Sequence, residues 1–151
     1  MNIVMDYVFK APRQEVWNLL LDTTRLAKCI PGCEELKETG PGKYTALMKV
    51  GVASIKGTYK GQVEIGDQQP PAHYKLTVEG KATPGFVRGV ASMDLAEEGA
   101  QETKLSMNAE AQVGGLIASV GQRFLGGIAK QMAEVFFKNI ENELLAGGKG
   151  Q

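Results

Sequence analysis

Histidine and tryptophan each occur once in this chain and cysteine twice, and that scarcity removes several chemistries at the outset. A structural zinc site takes about four nitrogen or sulfur ligands, and Cys29, Cys33 and His73 are too few to supply them. The two cysteines make no disulfide framework, so free thiols are expected. With no histidine near either in sequence, they also lack the base that activates a nucleophilic thiol. The expectation is no metal site and no catalytic residue. Net charge is missing too: seventeen basic and seventeen acidic residues cancel, which disfavours nucleic acid as a partner. No run of about eighteen apolar residues occurs, and Met1 to Lys10 lacks the segments of a secretory signal, so a soluble, cytoplasmic protein is expected. Gly126-Gly127 has no Lys-Ser/Thr partner and makes no phosphate loop. The carboxylates Glu34-Glu35, Glu97-Glu98 and Glu141 with Glu143 fall in polar stretches, where solvent keeps them ionised and unsuited to acid catalysis. His73 shares the parity of Lys75 and Glu79 and reads as a surface residue.

What is present suits one core: 151 residues, 43% of them apolar. Residues 1–146 read as a single domain and 147–151 as a flexible tail. Asn2 to Phe9 is rich in β-formers and leads through Ala11-Pro12 into a helix with Val16, Trp17, Leu19, Leu20 and Leu21 on its apolar face. Asp22 can cap a second short helix that Pro31-Gly32 stops. From Glu34 to about Val113 the period is two, as in Ile55, Gly57, Tyr59, Gly61, Val63 and Ile65 against Ser54, Lys56, Thr58, Lys60, Gln62 and Glu64. Turns are expected at residues 39–42, 66–71, 83–85 and 97–99. This is an antiparallel meander with one covered face. From Leu116 to about Leu145 the apolar period becomes helical, enough for one long helix to lie across a curved sheet.

Three local motifs carry a resemblance: Leu26-Ala27-Lys28-Cys29-Ile30-Pro31-Gly32-Cys33-Glu34, the stretch from Val50-Gly51-Val52-Ala53-Ser54-Ile55 through Gly57 to Gly61, and Val113-Gly114-Gly115-Leu116-Ile117-Ala118-Ser119-Val120-Gly121-Gln122-Arg123. Together they are similar to the carbon monoxide dehydrogenase G-subunit (CoxG) family of the START/Bet v 1-like (SRPBCC) superfamily. The resemblance runs from Met1 to about Ala146 and includes Phe136-Phe137. It implies an α+β helix-grip fold: a curved antiparallel sheet around a long C-terminal helix, with two short helices after the first strand. It also implies a non-catalytic accessory protein of a molybdenum-containing CO dehydrogenase or related hydroxylase. That role involves recruiting the enzyme to the membrane, or passing electrons to quinone. The implied partners are that enzyme's subunits, with only peripheral or transient contact at the inner face of the membrane. Some relatives carry a long extension linked to membrane contact; this sequence runs to Gln151, and no stable anchoring by the domain itself is expected.

The inward parity of the strands carries Tyr44, Met48, Val50, Tyr59, Val63, Tyr74, Leu76, Met93 and Met107, and the long helix adds Phe124, Ile128 and Met132. Plain core packing would use such residues. A cavity is favoured because Gly57 and Gly61 take two inward positions and remove side chains from the space between sheet and helix. The expected occupant is a reversible lipophile, a quinone or a fatty acid, rather than a covalent cofactor, with the three tyrosines offering hydroxyls and Trp17 close enough to report on it. The rivals are a ligand-free docking protein using an exposed apolar patch and, with less support, a cyclase- or hydrolase-like enzyme. The glycines after Val113 suit either close packing of the helix onto the sheet or a partner, or a soft segment that admits ligand.

Overall fold

A computed structural model of the chain describes residues 1–52 and 55–149. Ala53 and Ser54 of the second motif, and Gly150 and Gln151, lie outside the described residues. β1 spans Asn2–Phe9. Pro12 precedes α1, Arg13–Leu20, and with its fixed φ sets the direction of entry. The Asp22 carboxylate accepts the Arg25 N–H at 3.3 Å, satisfying an otherwise orphaned donor at the start of α2, Thr23–Cys29. Gly32 follows with φ +77°, and a Cβ there would run into the Lys49 carbonyl. The Lys49 N–H donates to the Gly32 carbonyl at 2.8 Å, so this turn ties the exit of α2 to the sheet.

The strands β2 (Cys33–Gly40), β3 (Lys43–Val50), β4 (Gly57–Gln69), β5 (His73–Ala82), β6 (Gly85–Gly99) and β7 (Glu102–Gly115) follow in turn. With β1 they form one seven-stranded antiparallel sheet in the order β1-β7-β6-β5-β4-β3-β2. Three expected boundaries move. Glu97 to Gly99 stays in β6, and that turn is Ala100-Gln101. Gly66 to Gln69 stays in β4, where a register shift and Asp67 at φ +51° absorb the bend, and the turn itself is Pro70-Pro71-Ala72. Ile55 is buried but precedes β4.

The long helix starts later and ends later than its periodicity suggests. Leu116–Val120 is a 3₁₀ turn, Gly121 breaks it at φ +99°, and α3 spans Gln122–Lys149. The cause lies at the end of β7. A Cβ on Gly115, at φ +73°, would sit 2.8 Å from the Gly85 Cα, and one on Gly114 would enter the Phe86 ring. The Ile117 N–H then donates to the Pro84 carbonyl at 3.0 Å, and that bond holds the segment on the β5–β6 turn instead of in the helix. At the far end the helix runs on through Gly147, which Arg25 closely approaches, to Lys149.

The closest backbone approaches of α3 outside its own lead-in are to β1, α1 and α2, which leaves the middle strands to be covered by side chains. The core divides accordingly. One cluster joins Phe9, Val16, Trp17, Leu19, Leu105, Phe137 and Ile140. A smaller one joins Ile55, Tyr59, Ile117 and Leu125.

Candidate functional site

Period-two alternation puts inward residues into rows across the sheet. Tyr44 lies opposite Val63, and Val63 opposite Val78. One step along, Ile65 faces Leu76; one step further, Tyr74, Met93, Met107 and Met5 follow one another across β5, β6, β7 and β1. Along β3–β6, these rows floor an apolar cavity of about 210 Å³. Leu20 and Leu21 at the end of α1, and Thr23, Leu26 and Ile30 of α2 and its exit, form the roof; Leu36 and Phe136 complete the wall. A second apolar space of about 250 Å³, lined by Pro31, Met107, Met132, Ala133 and Phe137, shares Ile30, Leu76, Met93 and Phe136 with it. Either alone is below the roughly 300 Å³ lower end for ligand sites, and the second is the more open to solvent of the two. A larger cleft on the other face, of about 470 Å³, is bounded by the charged side chains of Glu35, Lys60, Glu79 and Lys81.

The first motif therefore builds both roof and clamp. Cys29 is buried, and its carbonyl accepts the Asn139 side-chain amide at 3.0 Å. Arg25 pairs with Glu143 at 3.2 Å, so α2 is held to α3 at two points. Burial, then the nearby Glu143, pushes the Cys29 thiol above its ordinary pKa, and burial does the same to Cys33, the reverse of what a nucleophilic thiol needs. Among the described residues no group of three or more His, Cys, Asp or Glu is placed to hold a metal ion.

The three tyrosines separate. The Tyr59 hydroxyl donates to the Ile55 carbonyl at 2.7 Å inside the smaller cluster and has no proton to offer a ligand. Tyr44 lines the first space together with Thr23, and burial, with Glu38 second, raises its pKa. Tyr74 is 3% exposed and lines the cavity. Burial raises its pKa strongly.

Of the expected wall residues, Tyr44, Val63, Tyr74, Leu76 and Met93 line the first space, and Met107 and Met132 the second. Trp17 stands behind Tyr74 in the main core. Met48, Val50 and Ile128 pack against the smaller cluster instead, because the 3₁₀ turn and the residues before β4 fill that end. Phe124 is 48% exposed, since the late start of α3 turns it out to solvent. A Cβ on Gly57 would meet the Pro84 ring at 3.5 Å and one on Gly61 the Glu79 carbonyl at 3.6 Å, both ordinary contacts, and neither glycine lines either apolar space. His73 is half-buried between Asp94 at 2.8 Å and Asp67 at 3.2 Å. Sequence reasoning missed Leu36, Thr23, Val78, Ile65 and Phe136 as wall residues. Parity marked Ile65 and Val78, and Leu36 is the lone large apolar residue of β2, but the roof contacts of Thr23 had no local signal.

No curated protein matches the sequence at a significant level. Among solved structures, a conserved protein from Geobacillus kaustophilus is 40% identical, with a TM-score of 0.94 over 97% of this chain and 96% of that one. A Mycobacterium smegmatis protein is 16% identical, with a TM-score of 0.74 over 97% and 92% of the two chains. An aromatase/cyclase from Streptomyces is 17% identical, with a TM-score of 0.70 over 95% and 93%, and shares the helix-grip fold. The family model for the carbon monoxide dehydrogenase G-subunit (CoxG) matches residues 8–145, which takes in the whole roof, floor and clamp of the cavity, and the chain belongs to that family.

Proposed function

We propose that this protein is a non-catalytic accessory protein of a molybdenum-containing CO dehydrogenase or related hydroxylase, and that it holds a lipophile between sheet and helix while bringing the enzyme to the membrane or its electrons to quinone. The carrying observation is the wall itself: no charged side chain lines either apolar space. An apolar body entering it exchanges water for side-chain contact at roughly 25 cal/mol per Å². The wall has no acid–base pair, since its tyrosine hydroxyls are pushed further from neutral pH, and this favours carriage over the cyclase-like reading. No helix among the described residues is long and apolar enough to cross a membrane, in keeping with peripheral contact.

Native mass spectrometry of the purified protein, followed by solvent extraction, tests the reading. A stoichiometric lipophile, or saturable micromolar binding of an added one, supports it; no binding below about millimolar, equivalent to only about 4 kcal/mol, ends it. Liposome flotation at physiological salt should leave most of the isolated protein in solution. One observation favours a docking protein as the second reading: Leu116 and Phe124, at the start of the helical region, are 71% and 48% exposed. Replacing both with serine should weaken co-purification with the partner enzyme under that reading while leaving ligand content unchanged.

A further inference from the structure

Seventeen basic and seventeen acidic residues balance over the chain but not over the molecule. Residues 49–60, 81–88 and 111–128 carry Lys49, Lys56, Lys60, Lys81, Arg88 and Arg123 and no Asp or Glu, which leaves eleven basic against seventeen acidic residues for the rest. The fold gathers these three stretches at one end. Lys60 lies opposite Lys81, Lys81 opposite Phe86, and Phe86 opposite Gly114 across β4 to β7. Beyond those strand ends Val50, Val52, Ile55, Ile117 and Val120 share the smaller core cluster, so the chain between β3 and β4 and the 3₁₀ turn cap the same end. All six cations are exposed, and among them stand Leu116 and Phe124, 71% and 48% exposed. Two carboxylates border the group: Glu79 pairs with Lys81 at 3.2 Å and Arg88 at 3.7 Å, and Glu35 pairs with Lys37 at 3.1 Å. Lys49, Lys56, Lys60 and Arg123 have no ion-pair partner among the described residues.

We propose that this end is the face the protein lays on an anionic bilayer: Leu116 and Phe124 enter the headgroup layer, and the six cations around them answer the negative charge of the lipid. The proposal rests on the reading of an accessory protein that works at the membrane, and adds to it the surface that makes contact and the lipid charge that decides it. Basic side chains beside a leaflet gain where the lipid is anionic, and protruding apolar side chains hold the contact at short range. A protein is the less favoured occupant, because two large exposed apolar side chains offer far less than the roughly 800 Å² per partner of a specific protein interface. In the sequence the cations are scattered and form no polybasic run; the sheet register collects them. Two exposed apolar residues make no stable anchor, so the contact is brief, and at physiological salt, where the Debye length is about 8 Å, most of the isolated protein stays in solution.

The test is co-sedimentation of the full chain with vesicles of phosphatidylcholine alone and of phosphatidylcholine mixed with phosphatidylglycerol. At about 10 mM salt, where the Debye length is about 30 Å, the anionic vesicles should hold at least about tenfold more protein than the neutral ones, and the excess should fade toward physiological salt. Lys56→Glu with Arg123→Glu should cut that binding at least about tenfold. Lys43→Glu with Lys75→Glu makes the same charge change on exposed residues toward the other end of the sheet, and should cut it less than about threefold. Leu116→Ser with Phe124→Ser should lower it about fivefold and leave a remnant that salt abolishes. Should a variant fail to fold, the lipid-charge and salt dependence of the wild type decides. Equal binding to both vesicles, no binding to either at low salt, or equal loss in the two charge-reversed variants would overturn the assignment. So would loss of the partner enzyme by Lys56→Glu with Arg123→Glu while vesicle binding persists, which would make this end a protein-docking face. None of these results touches the lipophile content found by native mass spectrometry, so the carrier reading stands or falls separately.

Discussion

Trp17 stands edge-on to Tyr74, ring centroids 5.4 Å apart and planes at 85°. The chain's single indole thus touches the back of a residue whose front lines the cavity. Ligand entry should therefore change tryptophan emission saturably, with a midpoint equal to the calorimetric dissociation constant. Trp17→Phe should abolish the signal and keep the heat. Heat without a fluorescence change in the wild type would disconnect Trp17 from the site.

Tyr59 answers a stability question and not a binding one. Its hydroxyl is committed to the Ile55 carbonyl. Tyr59→Phe should cost about 1 kcal/mol in urea unfolding, the usual size of a lost buried hydrogen bond, and leave lipophile affinity within twofold. A large affinity change with unaltered stability would return Tyr59 to the wall.

Filling the cavity should separate occupancy from folding. Val78 lines the first space and faces Val63 across the sheet. Val78→Phe puts a ring where the ligand body would lie, so binding should fall at least tenfold, with a melting temperature within a few degrees of the wild type because the ring enters existing space. Phe124→Ala, at an exposed site, should change neither. Unimpaired binding in Val78→Phe would place the ligand elsewhere.

Gly126 and Gly127 have room for side chains. A Cβ on the first would meet only the Met1 sulfur at 3.7 Å, and one on the second meets nothing within 4 Å. Close packing onto the sheet therefore does not explain them. Replacing both with alanine should stabilise the protein by about 2 kcal/mol, since each helical glycine forgoes about 1 kcal/mol. If this soft segment admits ligand, the off-rate should fall together with the rise in melting temperature. Greater stability with unchanged exchange would end the gating idea.

The buried thiol and phenol predict a loss of stability in alkali. Cys29 has its pKa raised by burial and then by Glu143, and Tyr74 by burial. Raised folded values mean that the unfolded chain ionises first: stability is full below the ordinary thiol and phenol values and declines as pH climbs past them. Urea unfolding between about pH 8 and pH 10 should show this decline, and Cys29→Ala should flatten its lower part. A thiol reagent should modify half-exposed Cys33 before Cys29. A flat profile in the wild type would contradict the burial argument.

Strands, short helices and the inward face were legible because they depend on neighbours two to four residues apart. The parity of Tyr44, Val63, Tyr74 and Leu76 follows from the pleat, and the Asp22 cap from its own side chain reaching the next turn. Local patterning could not divide those inward residues between a cavity and a second core. That division comes from the turn at Gly114-Gly115, which sends Leu116–Val120 against Pro84 and gives Tyr59 and Ile128 to one cluster. Nor could it reveal that Tyr59 and Tyr74, alike in residue type and parity, differ in their surroundings. The Tyr59 hydroxyl finds its partner in the bend before β4, whereas Tyr74 lines the cavity with side chains of α1, α2 and α3. A hydrogen bond is settled by atoms within about 3 Å, and which atoms come that close across the sheet and its helices is fixed only when the chain closes on itself.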